Sequence, residues 1–74
     1  MAQLPALSAK QVIKNLTRLG FVRLRQKGSH LVMIHPRTRS RTVVPIHPGQ
    51  TIKKPLLQAI VNQAGVSLEE FLGQ

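Results

Sequence analysis

Cysteine is absent from this 74-residue chain, which removes disulfides, thiolate metal sites and thiol nucleophiles together. Acidic side chains are nearly absent: Glu69 and Glu70 sit side by side near the C-terminus, and residues 1–68 carry no negative side chain. Two-metal nucleases need clustered carboxylates and glycosidases need a separated pair. Adjacent glutamates on a helix do not converge on one site, so both classes are excluded. Aromatics are limited to Phe21 and Phe71, which argues against modules that stack single-stranded bases on exposed rings. No apolar run approaches the roughly 20 residues of a membrane span. No helix pairs a wholly basic face with bulky aromatics, and residues 1–5 lack the apolar stretch of a signal peptide. A membrane is therefore not the expected partner, and the cytoplasm is the expected location.

What the chain holds instead is cation. Eleven Lys and Arg give a formal net charge of +9, a surplus that repels itself in a compact state and is relieved by a polyanion. With rings scarce, recognition leans on phosphate, ribose and shape, so RNA is the partner this composition favours. The length suits a single domain over residues 1–74, without linkers, internal repeats or low-complexity tracts.

Ser8-Ala9-Lys10-Gln11 is a capping box, with Leu7 placed to staple onto Val12, and it opens a helix over about 9–19. Val12, Ile13, Leu16 and Leu19 recur at helical spacing, Lys10, Lys14 and Arg18 form a separate stripe, and Gly20 stops the helix. A first strand, about 21–26, alternates Val22 and Leu24 on one face with Arg23 and Arg25 on the other, and Lys27-Gly28 turns the chain. A second strand, about 30–35, is apolar on both faces, as expected of a central strand covered on one side by helices, and Pro36 ends it. Arg37 to Arg41 is polar loop. The third strand, about 42–46, contains Pro45, which cannot donate to a ladder and so places the strand at an edge. Pro55 fits the first turn of a helix over about 54–64 whose apolar face is Leu56, Leu57, Ile60, Val61 and Ala64, closed by Gly65. Ser67 to Glu70 is a second capping box, opening a short terminal helix at about 68–72. The class is α+β, in the order α-β-β-β-α plus that last turn.

Elimination narrows the chemistry. Three histidines could in principle bind zinc, but His30 and His35, five apart on one strand, point to opposite faces, so no metal or other cofactor is expected. Histidine with Lys and Arg suffices to cleave RNA through its own 2′-OH: the imidazole moves the proton near neutral pH, and the cations neutralise charge building on the phosphate. Lys27-Gly28-Ser29-His30 is the sharpest such feature. It is a turn of little bulk, where phosphate can approach backbone N–H groups, with a histidine at the start of a strand. A surface histidine beside a hairpin turn has the same spacing, and a solvated face is the bland reading of Arg23, Arg25 and the Arg37-Arg39-Arg41 loop. The missing acids weigh against that second reading. His35, preceding Pro36, reads as structural.

From Ser8 to Phe71 the sequence resembles the HicA-type toxins, small messenger-RNA interferases with a double-stranded-RNA-binding-like fold. The matching pieces are a first helix ending Leu19-Gly20-Phe21, then Gly28-Ser29-His30 as the family's G-S-H, Pro45-Ile46-His47 as its P-x-H, and Gln63-Ala64-Gly65 leading to Phe71. Their order and spacing together are specific. The resemblance implies a three-stranded antiparallel sheet with both helices on one face, His30 as the catalytic histidine, and a HicB-type antitoxin as neutralising partner. Leu31 stands where many members carry a second histidine, so a mechanism using two adjacent histidines is not supported here, and Pro55 stiffens the start of the second helix. His47 is then the candidate second proton carrier.

The expected protein is a metal-independent endoribonuclease of the toxin class that cleaves messenger RNA and inhibits translation. His30 is its catalytic residue, and Arg23, Arg25, Lys27, Gly28, Ser29 and Arg41 are its RNA contacts. The rival is a non-catalytic basic RNA-binding module, which the same fold and charge support. A DNA-binding architectural protein is disfavoured because no helix combines base-reading side chains with a basic flank. RNA affinity should fall steeply with salt, with a log–log slope of roughly −4 if about five phosphates are neutralised. Titrations at several salt concentrations measure this slope, and a flat dependence rules out binding led by phosphate.

Overall fold

The structure, a computed structural model, describes residues 6–73. Residues 1–5, which lack a signal-peptide stretch, lie outside the described part. The chain opens with β1 (Leu7–Ser8) and passes directly into α1 (Ala9–Arg18). The helix starts where it does because Ser8 and Gln11 cap each other. The Ser8 hydroxyl accepts the Gln11 N–H at 3.2 Å, and the Gln11 carboxamide oxygen accepts the Ser8 N–H at 3.0 Å. It ends at Leu19, after which Gly20 takes φ 102° and the N–H groups of Gly20 and Phe21 reach back to the carbonyls of Thr17 and Leu16.

Three antiparallel strands follow, β2 (Val22–Lys27), β3 (His30–Ile34) and β4 (Arg41–Pro45), in the spatial order β2-β3-β4. β4 is an edge strand, and Pro45 is its last residue, where a missing donor is tolerated. β5 (Thr51–Ile52) then pairs with β1, Leu7 opposite Ile52 and Ser8 opposite Thr51. This ribbon was not legible beforehand, because two-residue strands are too short to show alternation. It ties the start of α1 to the start of α2 (Lys54–Ala64), after which α3 (Leu68–Leu72) closes the chain.

Both long helices cover the same face of the sheet. Val12 and Leu16 of α1 and Leu57, Ile60 and Val61 of α2 meet Leu31, Met33 and Val44 of the strands, and all are buried. Phe21 and Phe71 are buried in the same cluster, each contributing about 1.5–3 kcal/mol through removal of its ring from water. Among the described residues one polar side chain enters this layer: the Thr42 hydroxyl donates to the Gln63 carboxamide oxygen at 2.9 Å, linking β4 to α2. Leu56, assigned by helical periodicity to the apolar face of α2, is instead 43% exposed. It sits one position ahead of Leu57, about 100° around the helix, and so falls outside the buried stripe.

α3 is held by charge and by caps. Arg18 donates through Nη2 to the carbonyls of Glu70 and Phe71, both at 2.9 Å, so a cation at the end of α1 meets the carbonyl end of α3. The exposed Glu70 carboxylate accepts the Ser67 N–H at 3.0 Å, and this bond, aided by the Ser67 side chain, holds its pKa below the usual carboxylate value. A carboxyl with a depressed folded pKa stabilises the native state above its unfolded value. That contribution is lost as pH falls through the folded one.

Gly20 has no tolerance for a side chain. A Cβ there would lie 2.8 Å from Nε2 of His35, on a backbone already at φ 102°. Gly20→Ala should therefore destabilise the fold by about 1–3 kcal/mol. Urea unfolding monitored by circular dichroism would measure it as a lower midpoint with unchanged slope.

Candidate functional site

Helices on one face leave the other face of the sheet open, and register decides what stands on it. Cross-strand partners share a face with Cβ atoms about 5 Å apart. Lys27 pairs with His30 and His30 with Pro45; Arg25 pairs with Val32 and Val32 with Val43; Val22 pairs with Ile34 and Ile34 with Arg41. These three rows form the open face, because Leu31, Met33, Thr42 and Val44 are turned into the core.

A bulge places the cations. Between Arg23, opposite Met33, and Arg25, opposite Val32, β2 takes two steps against one of β3, with Leu24 as the extra residue. The simple alternation read from sequence is thereby corrected: Arg23 and Arg25 do not share a face. Arg25 and Lys27 stand on the open side with His30, whereas Arg23 falls on the same side of the sheet as Met33, where β2 is exposed and uncovered. Arg41 is on the open face, but four residues from Pro45, about 13 Å down the strand from the His30 row.

The turn beside His30 is the two-residue Gly28-Ser29. Gly28 is at φ 59°, and Arg39 is the only non-glycine with positive φ among the described residues, so Ser29 is ordinary and the pattern is that of a type II′ hairpin. Gln26 donates to the Gly28 carbonyl at 3.1 Å, and the Ile46 N–H donates to the Ser29 carbonyl at 2.6 Å. The turn is thus fixed to β2 and to the segment leaving β4. Arg25, Lys27, Gly28, Ser29, His30, Val32 and Val43 together line an open cleft of about 800 Å³ with His30 exposed in it. The apolar floor, Val32 and Val43, was not singled out among the site residues, although the two-sided apolar character of β3 pointed to it.

The other histidines have different surroundings. His35 is half-buried; its ring meets Phe21 edge-on with centroids 5.2 Å apart, and its Nδ1 accepts the N–H groups of Arg37 and Thr38 at 3.2 and 3.3 Å. It organises the turn from Pro36 to Ser40, also donating its N–H to the Ser40 carbonyl at 2.9 Å. Arg37 and Arg39 are left exposed on that turn, and Arg41 is exposed at the start of β4. His47 is exposed just beyond β4 and lines a neighbouring cleft, which meets the His30 side of the sheet through a small hollow that shares Pro45 and Leu56 with it. Among the described residues no three His, Asp or Glu side chains gather as a metal site. No helix among them is long and apolar enough to cross a membrane.

A half-covered antiparallel sheet with helices behind it and a basic open face carrying an exposed histidine defines a small double-stranded-RNA-binding-like domain. Over residues 9–66 the chain matches the family described as HicA toxin of bacterial toxin-antitoxin, and it belongs to that family. It is therefore a toxin of a toxin–antitoxin system, a class that acts opposite an antitoxin. No curated protein matches the chain.

The two histidines of β3 and its end should separate cleanly in stability. His35→Ala removes the contact with Phe21 and the acceptor of two N–H groups, and should cost about 1–3 kcal/mol. His30→Ala removes an exposed side chain and should change stability by less than about 0.5 kcal/mol. Equilibrium urea unfolding of both variants checks the contrast.

Proposed function

We propose that this toxin is an endoribonuclease that cuts messenger RNA without a metal ion, with His30 carrying a proton at the scissile phosphate. The observation that best supports the reading is the exposure of His30 on the open face beside Lys27 and Arg25, in a chain with no acid before Glu69. Such a surface attracts phosphate and presents a group able to move protons near neutral pH.

In the reaction the ribose 2′-oxygen bonds to phosphorus while the bond from phosphorus to the 5′-oxygen breaks. The 2′-OH loses a proton and the leaving 5′-oxygen gains one, so no co-reactant is consumed. His30 makes one of these transfers. We assign the other to His47, two residues beyond the cross-strand partner of His30, with water able to take its place. Lys27 and Arg25 balance the charge that accumulates on the phosphate oxygens, and the small Gly28-Ser29 turn lets the backbone approach. Arg41 holds the strand further along the same face, and Arg23 reaches only RNA that wraps around the edge of β2. Loss of cut messages inhibits translation. The antitoxin is of the HicB type and works by covering the cations and apolar floor of this cleft.

Purified protein should cut a defined RNA in excess chelator and leave cyclic phosphate ends. His30→Ala should lose about 10²–10⁴ in rate while still binding RNA, His47→Ala should lose less, and equimolar HicB-type protein should stop the reaction. Cleavage by His30→Ala at the original rate overturns the assignment. Binding without any cleavage by the unmodified protein leaves the RNA-binding module as the correct reading.

A further inference from the structure

The His30 cleft does not end at His30. His30 and Val43 also wall a smaller hollow of about 210 Å³ beside α2, and Pro45 and Leu56 of that hollow wall a third cleft of about 360 Å³. Each shares two side chains with the next, and the three form one track, from the Gly28-Ser29 turn, across His30, to the start of α2. Pro45, Ile52, Pro55 and Leu56 make the third cleft apolar, with His47 and Lys53 on its polar side.

Resting on the ribonuclease reading, we infer that this cleft receives one unpaired nucleobase of the RNA next to the scissile phosphate and gives cleavage a base preference at that position. Leu56 is the first reason. Leu57, Ile60, Val61 and Ala64 already bury the inner face of α2, yet Leu56 stands 43% exposed beside two prolines, an apolar concavity that the core does not require. Its volume lies at the small end of ligand pockets, about 300–1,000 Å³, matching one planar base. Charge selects the occupant. Arg25 and Lys27 stand at one end of the track and Lys53 at the other, with no acid in residues 1–68, so the phosphates of a strand laid along the track meet cations at both ends. The flat proline rings contact the face of a base without an aromatic side chain, and the Gln50 amide at the cleft offers both a donor and an acceptor to its edge. Composition alone, with two buried phenylalanines, points to indifference toward sequence; the cleft adds discrimination at one position.

The test uses the full-length His30→Ala protein, expected to bind RNA while cutting it about 10²–10⁴ more slowly, and short single-stranded RNA homopolymers of each base compared with a base-free ribose–phosphate strand of equal length. The best homopolymer should bind about tenfold tighter than the base-free strand, the worth of one well-held base. In a Leu56→Trp, His30→Ala protein, where the indole fills the cleft, the difference should shrink below about twofold with the salt slope unchanged. A Leu56→Ala counterpart, better suited to a helix, should also narrow it, and circular dichroism verifies that both variants fold. Equal affinity for base-free and base-bearing strands overturns the inference and leaves the cleft to a protein side chain. So does a difference that survives both substitutions. Cleavage by the unmodified protein with no base discrimination leaves the ribonuclease reading standing and this one fallen. Discrimination with no cleavage does the reverse.

Discussion

A chain of this length has apolar side chains enough to cover one face of a three-stranded sheet, and the remaining architecture depends on that restriction. α1 and α2 lie together over Leu31, Met33, Thr42 and Val44, and the alternate residues of the same strands face outward with no helix of the described residues laid over them. Covering the second face would need another layer of helix, which the sequence does not supply. The exposed surface is therefore fixed in outline by the hydrophobic core, and its chemistry by whichever residues fall at odd positions of the pairing.

Charge acts within that frame. Where acids are this scarce, cations have few carboxylates to pair with, and each is directed either to backbone carbonyls or to solvent. Arg18 takes the first course, spending its guanidinium on the end of α3. Arg25 and Lys27 take the second and converge on the histidine through register alone, with β3 as the ruler. A site made by pairing is rigid where the ladder is rigid. Its key residues need no hydrogen-bond network of their own to be held in place.

Much of this was legible in the residues and some was not. Ser8 with Gln11 and Ser67 with Glu70 announced two helix starts because a capping box is local chemistry, complete within four residues. Gln63-Ala64-Gly65 was recognisable as a motif, and the fold gives each member a separate reason: Gln63 accepts from Thr42, Ala64 is buried, and Gly65 adopts the left-handed cap. The α+β class and the open sheet face were legible for the same reasons. The bulge at Leu24 was hidden, since inserting one residue into a strand leaves the alternation of side chains intact while moving their faces, and only the partner strand reveals it. The short ribbon of β1 and β5 and the exposed position of Leu56 were hidden because both are set by contacts distant in sequence. The grouping of Arg25, Lys27 and His30 belongs to the same class of fact: each residue was visible, but their sharing of one face was not.

β2 is an edge strand exposed on both faces, with Val22 and Leu24 uncovered. A flat strand of that kind is a template on which another copy could add its own edge and begin a fibre. Here the bulge interrupts the flat run, and Arg23, Arg25 and Lys27 bring like charges together whenever two such edges approach. The same cations therefore also work against assembly of the free toxin on itself, and a substitution that softens their charge lowers its colloidal stability.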